Sequence, residues 1–256
     1  MITVLGRQWR LLLCAVQFLT RLPTPPSPGF QPDGVTRSAR YFPVVGQLVG
    51  LLCAAAWLAA GRLWPGLPAA ALAVGAGVLI TGGLHEDGLA DTADGLGGGR
   101  DRAHRLSLMK DSRVGGFGAL ALGLVLVLRI GLLAAMAPWM GALALVAAHG
   151  GARAAAVAVM AALPYGGDPN TAKVRPPPQG VRAWEAALAL VLGAWPLLFL
   201  GPSKAAVALV LAAAVSVSMA WLSRRLIGGV TGDVLGCVEQ LAEVALLMGA
   251  GAALGG

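Results

Sequence analysis

Charged residues are scarce in this chain: they make up 12% of its 256 residues, whereas 57% are hydrophobic and the mean hydropathy is +0.75. Soluble globular domains carry about 25% charged residues. The composition therefore excludes an ordinary soluble fold and predicts an integral membrane protein. The formal charge of +7 would suit a nucleic-acid partner. However, the charges fall in short segments between apolar runs, so no nucleic acid is expected.

Cysteine is also rare. Cys14, Cys53 and Cys237 lie far apart, and none belongs to a CxxC pair, which excludes a disulfide framework and a cysteine-ligated zinc site. Internal repeats are absent as well. The sequence therefore gives no support for a transporter built from two similar halves.

The apolar runs predict an all-α, polytopic helical membrane protein that forms a single integral membrane domain over residues 1–256. About seven runs approach the roughly 20 mostly apolar residues that a helix needs to cross a bilayer. The predicted spans are residues 43–60, 67–84, 117–137, 139–162, 184–201, 204–222 and 234–252. A shorter run at 9–22 predicts a re-entrant or interfacial helix. The segments 23–29 and 165–178, rich in proline or glycine, predict loops.

The distribution of basic residues predicts the orientation of these spans. With the N-terminus inside and seven alternating spans, only Arg62 and Lys204 lie outside, and Arg129 and Arg153 fall within spans. The other fifteen of the 19 basic residues lie on the inner side. Because cytoplasmic loops carry the excess of Lys and Arg, the polar segments are predicted to face the cytoplasm.

One acidic stretch, residues 82–95, interrupts the apolar sequence. If it is helical, three of its aspartates stand at i, i+4 and i+7 on one face, spread over about 10 Å. Like charges repel at that spacing unless a cation lies between them, and carboxylate oxygens suit one or two Mg²⁺ ions that hold a diphosphate. The alternative is a solvated acidic loop between two membrane helices. The titratable residues of the stretch are His85, Glu86, Asp87, Asp91 and Asp94.

The role of His85 stays open at this point. A histidine fused to an acidic cluster can be a metal ligand, a proton shuttle or an orienting partner of another ligand.

Basic residues follow the acidic stretch. Lys110 and Arg113 flank Asp111 and Ser112, and lysine and arginine beside a carboxylate–metal cluster provide the charge and bidentate geometry that phosphate recognition needs. For the earlier basic run, residues 100–105, positive-inside anchoring is the favoured interpretation.

A third polar group, Asp233, Glu239 and Glu243, falls at the start of and inside the last predicted span. Carboxylates within a membrane span are costly and are therefore functional candidates. The alternative is structural, since Glu239 and Glu243 share a helix face and would pair there with Arg153 or Arg129.

The run from Gly82 to Gly95 resembles the signature of the membrane cobalamin synthases, the adenosylcobinamide-GDP ribazoletransferases. The similarity extends from about residue 17 to 250. Further matching pieces are residues 18–23, Phe42-Pro43 with Gly46, residues 110–115, Arg153 with residues 163–165, and residues 231–233 with Gly236 and Glu243.

The resemblance implies a Mg²⁺-dependent transferase that joins adenosylcobinamide-GDP to α-ribazole, or to its 5′-phosphate, and releases GMP. It implies a bacterial cytoplasmic membrane, with the active site facing the cytoplasm. The expected partners are these two substrates and the lipid bilayer, and a homo-oligomer is left open.

Taken together, the pattern and the resemblance give a set of expected roles. Asp87, Asp111 and His85 are the candidates for catalysis, although the residue that accepts the proton is not assigned. The metal candidates are Glu86, Asp87, Asp91 and Asp94, and the substrate-binding candidates are Lys110, Ser112, Arg113, Arg153, Asp233 and Glu243.

Two other functions compete with this interpretation. A CDP-alcohol-type membrane phosphotransferase also sets spaced aspartates around divalent metal, but this chain has His85 two residues before Asp87 and a compact acidic row. A cation transporter would place carboxylates along a path at mid-membrane, whereas most of these lie at a predicted cytoplasmic helix end beside Lys and Arg.

Overall fold

A computed structural model describes residues 4–25, 33–169 and 180–253, and in these ranges the chain forms α-helices without a β-strand. Parts of the predicted loops, residues 26–29 and 170–178, lie outside the described residues. The helices are α1 Val4–Leu19, α2 Gly34–Ser38, α3 Phe42–Ala60, α4 Leu67–Thr81, α5 Leu84–Gly98, α6 Arg102–Leu108, α7 Gly116–Ala134, α8 Pro138–Ala162, α9 Ala183–Ala194, α10 Pro202–Ile227 and α11 Gly232–Ala250. Short 3₁₀ turns at Ala39–Tyr41 and Trp195–Leu200 extend α2 and α9.

The prediction of an all-α, polytopic membrane protein is confirmed. Among the described residues, five helical segments are long and apolar enough to cross a bilayer, and the pair α4–α5 makes a sixth if it counts as one span bent by 90°. The five segments are Gly34–Ala60, Gly116–Ala134, Pro138–Ala162, Ala183–Leu200 and Pro202–Ile227. The number of seven spans therefore stays a prediction.

The second predicted span, 67–84, ends earlier than expected. Helix α4 stops at Thr81 because Gly82 and Gly83 both adopt left-handed backbone conformations, with φ of 69° and 70°. Glycine reaches such angles without steric cost, so the chain turns sharply and starts α5 in a new direction. The acidic stretch is thereby laid across the bundle instead of continuing along α4.

Helix α11 is the central helix of the bundle. It packs against α5, α8 and α10, and most of its residues are buried. It contains three carboxylates, Asp233, Glu239 and Glu243. Glu239 and Glu243 are buried inside protein, whereas Asp233 at the start of the helix is half-buried.

Close contacts between glycines and neighbouring backbones fix the helices around α11. A Cβ at Gly88 of α5 would lie 2.8 Å from the carbonyl oxygen of Asp233 and 3.2 Å from Cα of Gly236. On the opposite side, a Cβ at Gly46 of α3 would overlap the carbonyl oxygen of His149 in α8. Small residues of this kind let membrane helices approach closely. These contacts hold α5 tightly against α11, and α3 tightly against α8.

Candidate active site

The acidic stretch is helical from Leu84 onward, as expected for a shared face of Asp87, Asp91 and Asp94. Asp87 is exposed and lines a cavity of about 690 Å³, together with Thr20 and Arg21. Asp91, one turn further on, is half-buried. We call this space the Asp87 cavity. It sets a carboxylate and an arginine in one polar wall, as a site for a phosphate and a divalent cation requires.

Arg21 is a member of this wall that the sequence analysis did not single out as a site residue. Its side chain lies directly over Gly82, where a Cβ would overlap the guanidinium, and its backbone N–H donates to the carbonyl of Ile80 over 2.7 Å. The signal available in the sequence was the Phe18–Pro23 piece of the family resemblance.

Asp94 lies on the same helix face but has a different environment. Its Oδ2 accepts from the backbone N–H of Gly115 at 2.7 Å, and its Oδ1 accepts from that of Gly118 at 2.9 Å. These N–H groups begin α7, where the first donors of a helix have no partner within the helix. Asp94 therefore caps α7 from a distance, and its assignment as a metal ligand stays a prediction.

Glu86 lines the Asp87 cavity and also contacts the interior of the bundle. Its Oε1 lies 3.0 Å from Nη1 of Arg129 and accepts from Nε2 of Gln240 at 3.3 Å. Its predicted metal role is untested, and these contacts favour an ion-pair role.

The two intramembrane glutamates form the ion pairs that the sequence analysis kept as its alternative. Oε1 of Glu239 lies 2.7 Å from Nη1 of Arg153, and Oε1 of Glu243 lies 2.6 Å from Nη2 of Arg129. The other oxygen of Glu243 lies 3.3 Å from Nδ1 of His149. Each of these five side chains is at least 97% buried. Glu243 lies outside the lining of both cavities described here, and its substrate-binding role stays a prediction.

Potential metal ligands also occur in this network. Among the described residues, donor atoms of His149, Glu239 and Glu243 lie within 4.8 Å of one another. Arg129 already contacts Glu243, and Arg153 contacts Glu239. The positive charges of the two arginines would repel a cation bound between these carboxylates. The network is best described as a buried set of ion pairs in which the arginines neutralise the glutamates.

A second, smaller cavity of about 190 Å³ lies between α1, α5, α8 and α11. We call it the apolar cavity because most of its lining is aliphatic or aromatic. Four buried polar residues line it: His85, Arg153, Thr231 and Glu239. Nδ1 of His85 is 3.6 Å from Oε2 of Glu239. Phe18 and Leu84 line both cavities, so the two spaces are neighbours.

The open side of the apolar cavity carries two predicted substrate-binding residues, the exposed Lys110 and the half-buried Asp233. Tyr165 stands beside them, because its parallel bridge to Val230 joins the segment after α8 to the segment before α11. Burial raises the pKa of the Tyr165 phenol, with smaller contributions from Asp233 and Asp168. Arg102 ties the same region together by donating to the carbonyls of Ile227 and Gly166, each at 2.8 Å.

Asp111 and Arg113 form an exposed pair outside both cavity linings. Nη2 of Arg113 lies 2.6 Å from Oδ2 of Asp111. The hydrogen bonds from Arg113 lower the pKa of Asp111 to about 2. A carboxylate held so firmly in its ionised form is a weak proton acceptor. Ser112 lies exposed between them.

Comparisons with known proteins cover nearly the whole chain. A sequence model of the family described as cobalamin-5-phosphate synthase matches residues 11–251. A Ralstonia pickettii protein named adenosylcobinamide-GDP ribazoletransferase is 44% identical over 255 residues, covering 96% of each chain. Proteins of the same name from Leptothrix cholodnii (43% identical, 94% of each chain) and Bradyrhizobium diazoefficiens (45% identical, 94% of this chain and 93% of the relative) are also similar. No solved structure matches the chain.

Proposed function

Because this chain belongs to the cobalamin-5-phosphate synthase family, we propose that it is a membrane-embedded adenosylcobinamide-GDP ribazoletransferase of cobalamin biosynthesis. The observation that carries the proposal is the 44% identity to a relative of that name over 96% of both chains. The structural feature that suits the reaction is the acidic helix α5, whose Asp87 shares a large cavity with Arg21.

In the proposed reaction, a hydroxyl oxygen of ribazole forms a bond to the phosphorus that carries cobinamide. The bond from that phosphorus to the GMP oxygen breaks, and the hydroxyl proton passes to a base. Phosphoryl transfer of this kind depends mostly on positioning and on neutralising phosphate charge. The protein therefore needs a site for the diphosphate, a site for the acceptor and a proton acceptor between them.

We assign the diphosphate to the Asp87 cavity. Arg21 would contact the phosphates, since a guanidinium binds two phosphate oxygens at once. Asp87 and Asp91 would hold Mg²⁺, because they present hard oxygen ligands on adjacent turns of α5. Bound there, the cation would neutralise charge that develops on the transferred phosphate. Asp94 and Glu86, with their contacts to α7 and Arg129, would fix the orientation of α5.

We assign the proton acceptor to His85. It lines the apolar cavity next to the Asp87 cavity, and its contact with Glu239 resembles the carboxylate–imidazole pairs that orient a general base. Asp111, another of the candidates, is paired with Arg113 and lines neither cavity.

We also propose that the protein lies in the bacterial cytoplasmic membrane with this site facing the cytoplasm. The support is the excess of basic residues on one side of the predicted topology. Labelling of single cysteines on either side of intact cells tests it. Cysteines introduced at Lys110 and Lys204 should react from opposite sides.

Growth of a bacterial strain that lacks its own ribazoletransferase tests the function. The chain should restore cobalamin-dependent growth on cobinamide supplied with ribazole precursors, whereas the variant Asp87→Asn, produced in equal amount, should not. Failure of the intact chain to restore growth, despite its presence in the membrane, would contradict the proposal.

A further inference from the structure

The apolar cavity differs from the Asp87 cavity in size and in lining. Its volume is about 190 Å³, and Phe18, Phe42, Val157, Met160 and Leu235 form much of its wall. Dry cavities of about 150 Å³ lined by aliphatic and aromatic side chains bind benzene. A space slightly larger than that suits a fused bicyclic aromatic ring and excludes a corrin macrocycle.

The polar residues that line the apolar cavity differ in their exposure to solvent. Lys110 is exposed and marks the open side, whereas His85, Arg153 and Glu239 are buried and mark the inner side. Among the described residues, Nε of Arg153 is buried without a hydrogen-bond partner. A lipid chain offers nothing to these groups, whereas a heteroaromatic nucleoside carries a ring nitrogen and ribose hydroxyls.

We infer that the apolar cavity binds the benzimidazole base of the ribazole acceptor and that Lys110 at its open side contacts the 5′-phosphate when the acceptor carries one. This inference rests on the proposed function and specifies which substrate each cavity takes. From the sequence, Lys110 was expected to recognise phosphate beside the acidic row. The structure places it in the lining of the other cavity.

The two cavities are neighbours, so a donor in one and an acceptor in the other would lie close enough to react. Because Phe18 and Leu84 belong to both linings, an acceptor in the apolar cavity lies beside a diphosphate in the Asp87 cavity. His85 lines the acceptor's cavity and follows Leu84 in the chain, so it lies near the wall that the two cavities share.

Filling the cavity tests the base site. Ala156 lines the cavity and Ala161 is exposed on the same helix, so Ala156→Leu and Ala161→Leu make the same chemical change inside and outside it. We expect Ala156→Leu to raise the KM for ribazole at least tenfold while the KM for adenosylcobinamide-GDP stays within threefold. Ala161→Leu should leave both values within threefold. A rise in the donor KM alone, or unchanged values for Ala156→Leu, would overturn the inference.

Lys110→Gln tests the phosphate contact at an exposed position where misfolding is not expected. Its KM for ribazole 5′-phosphate should rise at least tenfold, and its KM for ribazole less than threefold. Equal effects on both acceptors would contradict the assignment.

Equilibrium dialysis of ribazole without donor separates this inference from the function itself. Ribazole binding that Ala156→Leu weakens, in a protein that releases no GMP, would support the cavity assignment while the proposed function fails. Release of co-purified phospholipid by Ala156→Leu, with ribazole binding unchanged, would show that the cavity holds a lipid chain and would refute the inference.

Discussion

Replacing Asp94 with alanine should destabilise the protein without changing its requirement for Mg²⁺. The carboxylate accepts hydrogen bonds from Gly115 and Gly118 at 2.7 and 2.9 Å. Both donors stand at the N-terminus of the 19-residue helix α7, where the helix dipole favours negative charge. The N-cap residue, Gly115, has no side chain of its own to perform this function.

The magnitude follows from the two lost contacts. A hydrogen bond to a charged group contributes about 1.5–3 kcal/mol, and loss of a helix cap costs about 0.5–2 kcal/mol. Because Asp94 is half-buried, we expect about 2–3 kcal/mol for Asp94→Ala, which lowers the melting temperature by about 5–10 °C in a chain of this size. Asp94→Asn keeps one acceptor oxygen and should lose about half as much.

Two glycines of α7 provide matched controls. A Cβ at Gly118 would overlap Oδ2 of Asp94, whereas a Cβ at Gly123 would meet no atom within 4 Å. Gly118→Ala should therefore destabilise the protein by pushing the Asp94 carboxylate away from the N-terminus of α7, although the aspartate itself is unchanged. Gly123→Ala should be neutral or stabilising, since alanine favours helix over glycine by about 1 kcal/mol.

Thermal unfolding in detergent measures the stability of the protein, and titration of GMP release with Mg²⁺ measures its Mg²⁺ requirement. The expected result for Asp94→Ala is a lower melting temperature and an apparent Mg²⁺ constant within twofold of the wild type. An unchanged melting temperature together with a tenfold weaker Mg²⁺ constant would refute the capping argument and establish Asp94 as a ligand.

Three further predictions concern neighbouring residues. Asp87→Asn should lower kcat at least 100-fold at saturating Mg²⁺ with an unchanged melting temperature, and retained GMP release would remove Asp87 from the metal site. Gly88→Ala should lower the free energy of unfolding by about 1–3 kcal/mol, because the added methyl group would overpack against Asp233 and Gly236. A free energy of unfolding as high as that of Gly123→Ala would contradict this close approach. Asp111 has a pKa of about 2, so its carboxylate stays ionised above about pH 3 and any stabilisation from its pair is lost only as the pH falls toward 2. Asp111→Asn should leave the acid limb of the pH–rate profile in place, and a shifted limb would show that Asp111 titrates during turnover.

Much of the fold was predictable because long apolar runs in the sequence indicate membrane helices. Helices α7, α8, α10 and α11 begin within two residues of their predicted starts. The end of α4 was placed three residues too late because the run stays apolar through Leu84, whereas the backbone already turns at Gly82. Hydropathy alone does not detect a left-handed glycine.

The candidate site was predictable in its residue types but not in its partners. Spacing along α5 correctly placed Asp87, Asp91 and Asp94 on one helix. That Asp94 would cap a helix starting 22 residues later depends on how α7 docks, which no local pattern encodes. Lys110 lines the apolar cavity and not the Asp87 cavity. This placement also depends on how the segment after α6 packs, which no local pattern encodes.

The most direct test of the account follows GMP release by purified protein in lipid, supplied with adenosylcobinamide-GDP, ribazole and Mg²⁺. We predict GMP only when all three are present, and none above background from Asp87→Asn at equal folded concentration. GMP release that does not depend on ribazole, or activity confined to a CDP-linked lipid donor, would contradict the assignment of this chain as a ribazoletransferase.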